Sequence, residues 1–325
     1  MKKIIFFVAG LLCVIGLVFG IGYSEKFESY EKVENGTLGD SLWSEDKSKH
    51  MQELVNKNSV KLKNSTIDTG KYLVTLEEYF YEKSVPFVIY QCKITQQDGT
   101  TLTEAQYREF KQEHDKDNIH FHTGLGATSV MDKVYQDEEG NTIWQKAFLI
   151  DPVGIDDKIY QFGEERIYKI KNKNYLQELN LYGEEGKMGE FLLPQYGFEA
   201  KSVSFDTSKN TKVKSIQVSE FGICIVWDLT DILEEFKEML KSLPQGTDTE
   251  KYGYEVYENI TLTMKDGQKL TIDEMKTEMT IGDKFGIYEE NKLASFNALW
   301  NEDVNLEKIR CITIDGVSYS VEKEQ

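Results

Sequence analysis

Histidine, cysteine and proline are scarce in this chain, with four of each among 325 residues. So few imidazoles leave a thin acid–base repertoire near neutral pH. Cys13 lies in an apolar N-terminal run, so Cys92, Cys224 and Cys311 are the thiols of the remaining chain. Three thiols allow at most one internal disulfide, which excludes a disulfide-dense scaffold. Each sits in a β-rich run, where a free cysteine behaves as a small apolar side chain. A Cys224–Cys311 bridge would need those two strands to be neighbours. Basic residues are outnumbered, 38 against 56 acidic, for a formal charge of −18. A chain of that sign repels nucleic acid and anionic headgroups, so neither is an expected partner. Its acids fall in short pairs such as Asp156-Asp157, Glu164-Glu165 and Glu184-Glu185, the pattern of a solvated surface.

Catalytic motifs are missing too. There is no His-Glu-x-x-His and no Gly-x-Ser-x-Gly. Gly124-Leu-Gly126-Ala-Thr-Ser129 ends in serine and precedes a strand-like run, so it reads as a turn rather than a dinucleotide loop. Ser44-Glu-Asp-Lys47 has the spacing of an acyl-enzyme serine but lacks the Lys-Thr-Gly and Ser-Asp-Asn partners. The densest polar cluster is His114, Asp115, Asp117, His120 and His122. If extended, its His-Phe-His pair sets two imidazoles on one face, a geometry open to a transition metal. No cysteine lies nearby, and an EF-hand loop would need an oxygen ligand at Ile119 and glycine at His120. No catalytic residue, cofactor or metal is therefore assigned. His120 and His122 are the only metal candidates.

Long hydrophobic runs are limited to one. Ile4 through Tyr23 is free of charge and follows directly on Met1-Lys2-Lys3. Twenty helical residues at about 1.5 Å each cover roughly 30 Å, the thickness of a bilayer core and more than a cleavable signal's apolar stretch needs. The reading is a transmembrane anchor, with residues 1–3 as a cytoplasmic tip held inside by Lys2 and Lys3. The C-terminal bulk of this single-pass membrane protein then lies outside the cell membrane. Small residues at Val18/Gly20 and Gly20/Gly22 also fit signal-peptidase spacing, and cleavage after Gly20 or Gly22 would secrete the chain. Cys13 follows Leu11-Leu12, which is not a lipoprotein signal. Gly16 and Gly20 form a small-xxx-small pair through which two anchors could approach as a homodimer.

Beyond the anchor, residues 24–58 read as a polar juxtamembrane stalk, with Ser44 as a helix cap and a loose stripe of Trp43, Met51, Leu54 and Val55. From there short runs rich in Tyr, Phe, Val, Ile and Thr predict strands at 72–81, 86–94, 129–135, 142–150 and 166–170. Asp98-Gly99 and Asp137 to Asn141 read as turns, so the pairing should be antiparallel. One helix interrupts this half. Thr103 and Gln106 have capping-box spacing, Leu102 and Tyr107 staple spacing, and Phe110 continues the face toward His114. A pause around Pro194 divides a first unit, 59–193, from a second, 194–325. The second has strands at 201–205, 213–227, 260–264, 270–272, 279–281 and 309–321, with turns at Asp266-Gly267 and Asp315-Gly316. Its helix runs from Asp228 to Pro244 on the apolar face Leu229, Ile232, Leu233, Phe236 and Leu240. The expected fold is mainly β: two tandem Ig-like antiparallel β-sandwiches, each with one short helix inserted, after an N-terminal transmembrane helix.

Gly70-Lys-Tyr-Leu-Val-Thr-Leu-Glu-Glu-Tyr-Phe-Tyr81 resembles the opening of an Ig-like domain of unknown function. That domain lies just outside the membrane span of Gram-positive anti-sigma-factor-like proteins. Lys212-Val-Lys-Ser-Ile-Gln-Val-Ser-Glu-Phe-Gly-Ile223 and Leu306-Glu-Lys-Ile-Arg-Cys-Ile-Thr-Ile-Asp-Gly-Val317 resemble the companion C-terminal sandwich. The resemblance covers most of 59–325. It implies an extracytoplasmic, non-enzymatic ectodomain that binds a ligand or an envelope protein in sensing or surface assembly. Members usually grip a sigma factor with a cytoplasmic N-terminal region, whereas here Met1-Lys2-Lys3 alone precede the span. The alternative is an exported hydrolase or metal-dependent enzyme with a site near His114–His122.

Overall fold

A computed structural model of the chain describes residues 30–32, 37–43, 48–62, 65–123, 127–150, 160–162, 166–168, 175–194, 197–208, 212–230, 260–271, 280–288 and 292–322. Residues 4–23, with Gly16, Gly20 and both cleavage positions, lie outside them, as do Ser44–Lys47 and the expected helix beyond Thr230. No helix among the described residues is long and apolar enough to cross a membrane.

Strands β1 to β12 occupy Tyr30–Lys32, Val60–Leu62, Thr66–Asp68, Leu73–Glu82, Phe87–Thr95, His120–Thr123, Ala127–Gln136, Thr142–Ile150, Tyr160–Phe162, Arg166–Tyr168, Tyr175–Gly183 and Gly186–Pro194. Helix α1 is Lys49–Asn58 and α2 is Glu104–Asp115. Strands β13 to β21 occupy Ser202–Ser204, Val213–Ser219, Gly222–Asp228, Ile260–Met264, Lys269–Thr271, Thr280–Tyr288, Leu293–Trp300, Ile309–Ile314 and Val317–Ser320. The fold is mainly β and these strands pair antiparallel throughout. The first half builds a large sheet in the order β1-β2-β4-β5-β8-β7, with β3 against β4, a three-stranded sheet β12-β11-β6 and the pair β10-β9. The second half builds β13-β14-β15-β19-β18 and β17-β16-β20-β21.

Two apolar cores divide the side chains of the large sheet by strand parity. Val88, Tyr90, Cys92 and Ile94 of β5, with Trp144, Phe148 and Ile150 of β8, join Leu179, Leu181 and Phe191 of β11 and β12 in one core. Phe87, Ile89, Ala147 and Leu149, one residue out of phase, join the second half's Ile216, Ile223, Phe296 and Trp300 in the other. Strands buried on both faces read as continuous apolar runs, which is why alternation disappears at Phe87–Tyr90 and Ala147–Ile150. On β5 alternation returns at Gln91-Cys92-Lys93-Ile94, and Gln91 meets the buried Gln145 of β8 through a 2.7 Å hydrogen bond.

The residues expected in a polar stalk are instead part of the second core. Leu38, Trp43, Met51 and Val55 are all buried there. Met51 and Val55 are one helical turn apart, so α1 turns one stripe inward. Trp43 Nε1 donates to the Trp300 carbonyl at 2.8 Å, and Gln52 Nε2 donates to the Trp43 carbonyl at 2.9 Å. A β-carbon on Gly39 would sit 2.7 Å from the Gln52 carbonyl oxygen, so only glycine allows the preceding turn to lie on α1.

The two halves meet at an aromatic junction around Phe221, in the turn between β14 and β15. Its ring lies 5.3 Å from Phe87, 5.7 Å from Phe80, 5.8 Å from Trp43 and 6.3 Å from Phe198. Asn297 of β19 adds a polar tie, with Nδ2 donating to the Ile150 carbonyl at 2.9 Å. Cys92, Cys224 and Cys311 are free thiols, and β15 and β20, which carry the last two, belong to different sheets. The Cys224–Cys311 bridge therefore does not form.

Beside this junction Glu82 is 0 % exposed. Its Oε1 accepts from the Ser84 and Ala200 N–H groups at 2.8 and 3.1 Å, and Oε2 accepts from the Val85 N–H at 2.5 Å. Burial outweighs those neutral donors and pushes the carboxyl from 4.5 up to about 7. The folded state then binds this proton more tightly than the unfolded chain, so stability falls as pH rises between those values. The full loss is about 3 kcal/mol. The urea midpoint of the native protein should therefore fall relative to that of Glu82→Gln as pH is raised from 4.5 to 7. A difference that stays constant across the window contradicts this assignment. Replacing Phe221 with alanine should cost about 3–5 kcal/mol, read as a drop in urea midpoint, because its cavity cannot collapse against four rigid rings.

Candidate functional site

The polar cluster singled out in the sequence is organised by α2. Thr103 and Gln106 form the expected capping box: Thr103 Oγ1 accepts from the Gln106 N–H at 3.4 Å, while Gln106 Oε1 accepts from the Thr103 N–H at 2.9 Å. The far end closes as a Schellman motif. Asp117, at φ 60°, donates its N–H to the His114 carbonyl, and Asn118 donates to the Glu113 carbonyl. That reversal sends the chain into β6 and separates the histidines of the cluster.

Phe110 is the one fully buried side chain of α2, edge-on to Tyr72 at 5.3 Å and to Trp144 at 5.8 Å. Lys71 reaches the helix from the β3–β4 connection and pairs with Glu109 at 2.8 Å and Glu113 at 2.6 Å. One turn on, His114 points at the large sheet. Its Nε2 lies 2.8 Å from Asp132 Oδ1 and its Nδ1 3.1 Å from Asp115 Oδ1. Asp132 also accepts from Trp144 Nε1 at 2.8 Å and from Lys146 Nζ at 2.5 Å. The register explains why these groups meet, since Asp132 of β7 is paired with Lys146 of β8 and Val134 with Trp144. Lys146 lies with its ammonium 5.1 Å from the Phe148 ring.

The electrostatics follow from that geometry. Desolvation raises the Asp132 carboxyl, but the His114 and Lys146 contacts and the Trp144 donor outweigh it and hold it at about 2. The Asp132 hydrogen bond, against the opposing effect of burial and with help from Asp115, raises His114 above its ordinary value. A carboxylate near 2 is a poor base, and an imidazole engaged at both nitrogens is not free to shuttle a proton. The arrangement is a clamp between helix and sheet.

His120 and His122 are not brought to that clamp. Both lie on β6, opposite Tyr182 and Asn180 of β11. The His120 ring stacks on Tyr182 at 5.8 Å and 12°, with Nδ1 3.1 Å from the Asp117 carbonyl. The His122 side chain lies outside the described residues. Among the described residues no group of three His, Cys, Asp or Glu side chains is placed to hold a metal ion. Of the Gly124–Ser129 turn, residues 124–126 lie outside the described residues, and β7 has begun by Ala127.

Sequence reasoning found His114 but not its partners Asp132, Trp144 and Lys146. The signal was present in the pattern: Asp132 shares a strand face with the core residue Val134, at the rim of the core, where a charge calls for a counter-ion. Replacing Asp132 with asparagine should leave two cations facing a neutral amide and lower stability by about 1–3 kcal/mol, reduced from the fully buried case by its partial exposure. The native protein should lose this contribution as pH falls from 3.8 toward 2, because the folded carboxyl is depressed below the unfolded one. Acid titrations of the two proteins, followed by circular dichroism, should therefore converge at the acid end. Parallel curves would contradict the clamp.

No family model matches the chain, and no curated protein matches it. Among solved structures the chain is similar to "The crystal structure of the conserved domain protein from Bacillus anthracis". That likeness covers 78% of this chain and 75% of the other at 10% identity and a TM-score of 0.32, too loose to carry an argument.

Proposed function

We propose that this chain is a non-enzymatic, membrane-anchored extracytoplasmic protein whose two Ig-like β-sandwiches bind a ligand or an envelope protein in sensing or surface assembly. The observation that carries the reading is Lys2-Lys3 followed by the uncharged run Ile4–Tyr23, long enough for one crossing with the bulk of the chain outside. The antiparallel, mainly β body supports it, since stacked sheets of this kind present loops and edges to partners rather than the crevice of a parallel sheet. The resemblance of 70–81, 212–223 and 306–317 to the ectodomains of anti-sigma-factor-like proteins points the same way. His114 and His120 add support by being spent on helix docking and ring stacking.

Protease added to intact, wall-stripped cells tests the orientation. Digestion of the C-terminal bulk with the anchor left in the membrane is expected, and full protection would overturn the reading. A crosslinking pull-down with the full chain in its membrane should recover an envelope protein or wall polymer. Stoichiometric zinc on the purified full chain, lost in the His120→Ala, His122→Ala double variant, would instead favour the metal-dependent enzyme.

A further inference from the structure

The thinness of the α2 attachment gives the His114 clamp a consequence of its own. A neutral imidazole has one N–H, so against two carboxylate oxygens it can donate to only one, and its other nitrogen then turns a lone pair toward the second. Only the imidazolium donates to both Asp132 and Asp115, at the 2.8 and 3.1 Å contacts observed. The charged and titratable groups around it are Asp115 and Lys111 on α2, Asp132 on β7 and Lys146 on β8, with Trp144 packed edge-on at 5.4 Å. The other attachments are few: Tyr107 packs against the core and Gln106 Nε2 donates to Gln96 Oε1 at 3.2 Å. Among the twelve residues of α2 only Phe110 is buried, and the Lys71 pairs with Glu109 and Glu113 are partly solvated, which limits their worth. The His114 side chain is 12% exposed and that of Asp132 30%, so this pair is screened less, while Asp115 is 52% exposed.

We infer that α2 is a pH-gated lid on the large sheet, docked while His114 carries both ring protons and loosened when it loses one. Opening bares the seat of Phe110, an apolar surface built on Tyr72 and Trp144. The raised affinity of His114 for its proton sets the direction. The docking contribution is complete below the ordinary histidine value of 6.5 and is lost as pH rises through the higher value of the folded state. The lid is a property of the fold and does not depend on the compartment or on any partner.

Hydrogen exchange of the full chain, corrected for the intrinsic pH dependence of amide exchange, tests this between pH 6 and 9. Protection of amides 107–115 should fall at least tenfold with rising pH, while β5 and β8 keep theirs. The midpoint should coincide with the titration of the His114 ring followed by NMR, its signal identified by loss in His114→Asn. In that variant α2 should exchange fast at both pH values, and in His114→Arg, charged throughout, the pH dependence should vanish. Protection of α2 that is constant with pH in the native protein would overturn the lid. So would a midpoint that departs from the His114 titration, a comparison that needs no variant to fold beyond the one used for assignment, for which His114→Gln is a substitute.

Discussion

The aromatic junction at Phe221 is the constraint on which the rest of the structure hangs, because it is the point where the N-terminal segment, the first half and the second half share one apolar contact. Phe80 and Phe87 come from the large sheet, Phe198 from the connection between halves, and Trp43 from the segment before α1. The backbone is tied at the same place. Trp300 donates its N–H to the Phe221 carbonyl and its indole N–H to the Ser219 carbonyl, while its own carbonyl accepts from the Trp43 indole. Loosening any one ring exposes polar backbone as well as apolar area, and the two costs add.

Two carboxylates, Glu82 fully buried and Asp132 partly exposed, show how the same group is set to opposite ends of its range. Glu82 is surrounded by backbone N–H groups, which are neutral and only partly offset its desolvation, so its carboxyl rises to about 7. Asp132 is met by His114 and Lys146, whose charges exceed its desolvation and take it to about 2. Each ties two separate elements together. Glu82 holds the connection at Ala200 to the β4–β5 turn, and Asp132 holds α2 to the sheet.

Much of the first half was legible because its strands alternate or run apolar over their whole length. The strand 142–150 matches β8 to the residue, and the capping box at Thr103 and Gln106 is present as spaced. The β11–β12 hairpin was missed, since Leu179 and Leu181 are embedded among Asn, Gln and Glu and the turn at Glu184-Glu185-Gly186 was read as surface charge. Strand β19 was missed for a different reason. Leu-Ala-Ser-Phe-Asn-Ala-Leu-Trp lacks β-branched residues, and its polar Ser295 and Asn297 are buried, Asn297 against Ile150 of the other half. The stalk reading failed on the same ground, because Trp43, Met51 and Val55 are a sparse stripe until β5 and β19 provide a surface for them. In the candidate site, spacing marked His114 but could not reveal Asp132 and Lys146, which reach it through strand pairing rather than through nearness in the chain.

The central claim is that the Phe221 junction makes the two halves one cooperative unit. Native-state hydrogen exchange of the slowest amides in β8 and in β19, followed as denaturant is added below the unfolding transition, measures this directly. If the junction couples the halves, both sets merge into one opening with the same free energy and the same denaturant dependence. Two openings that stay separate, with β19 still protected after β8 has exchanged, would contradict the account.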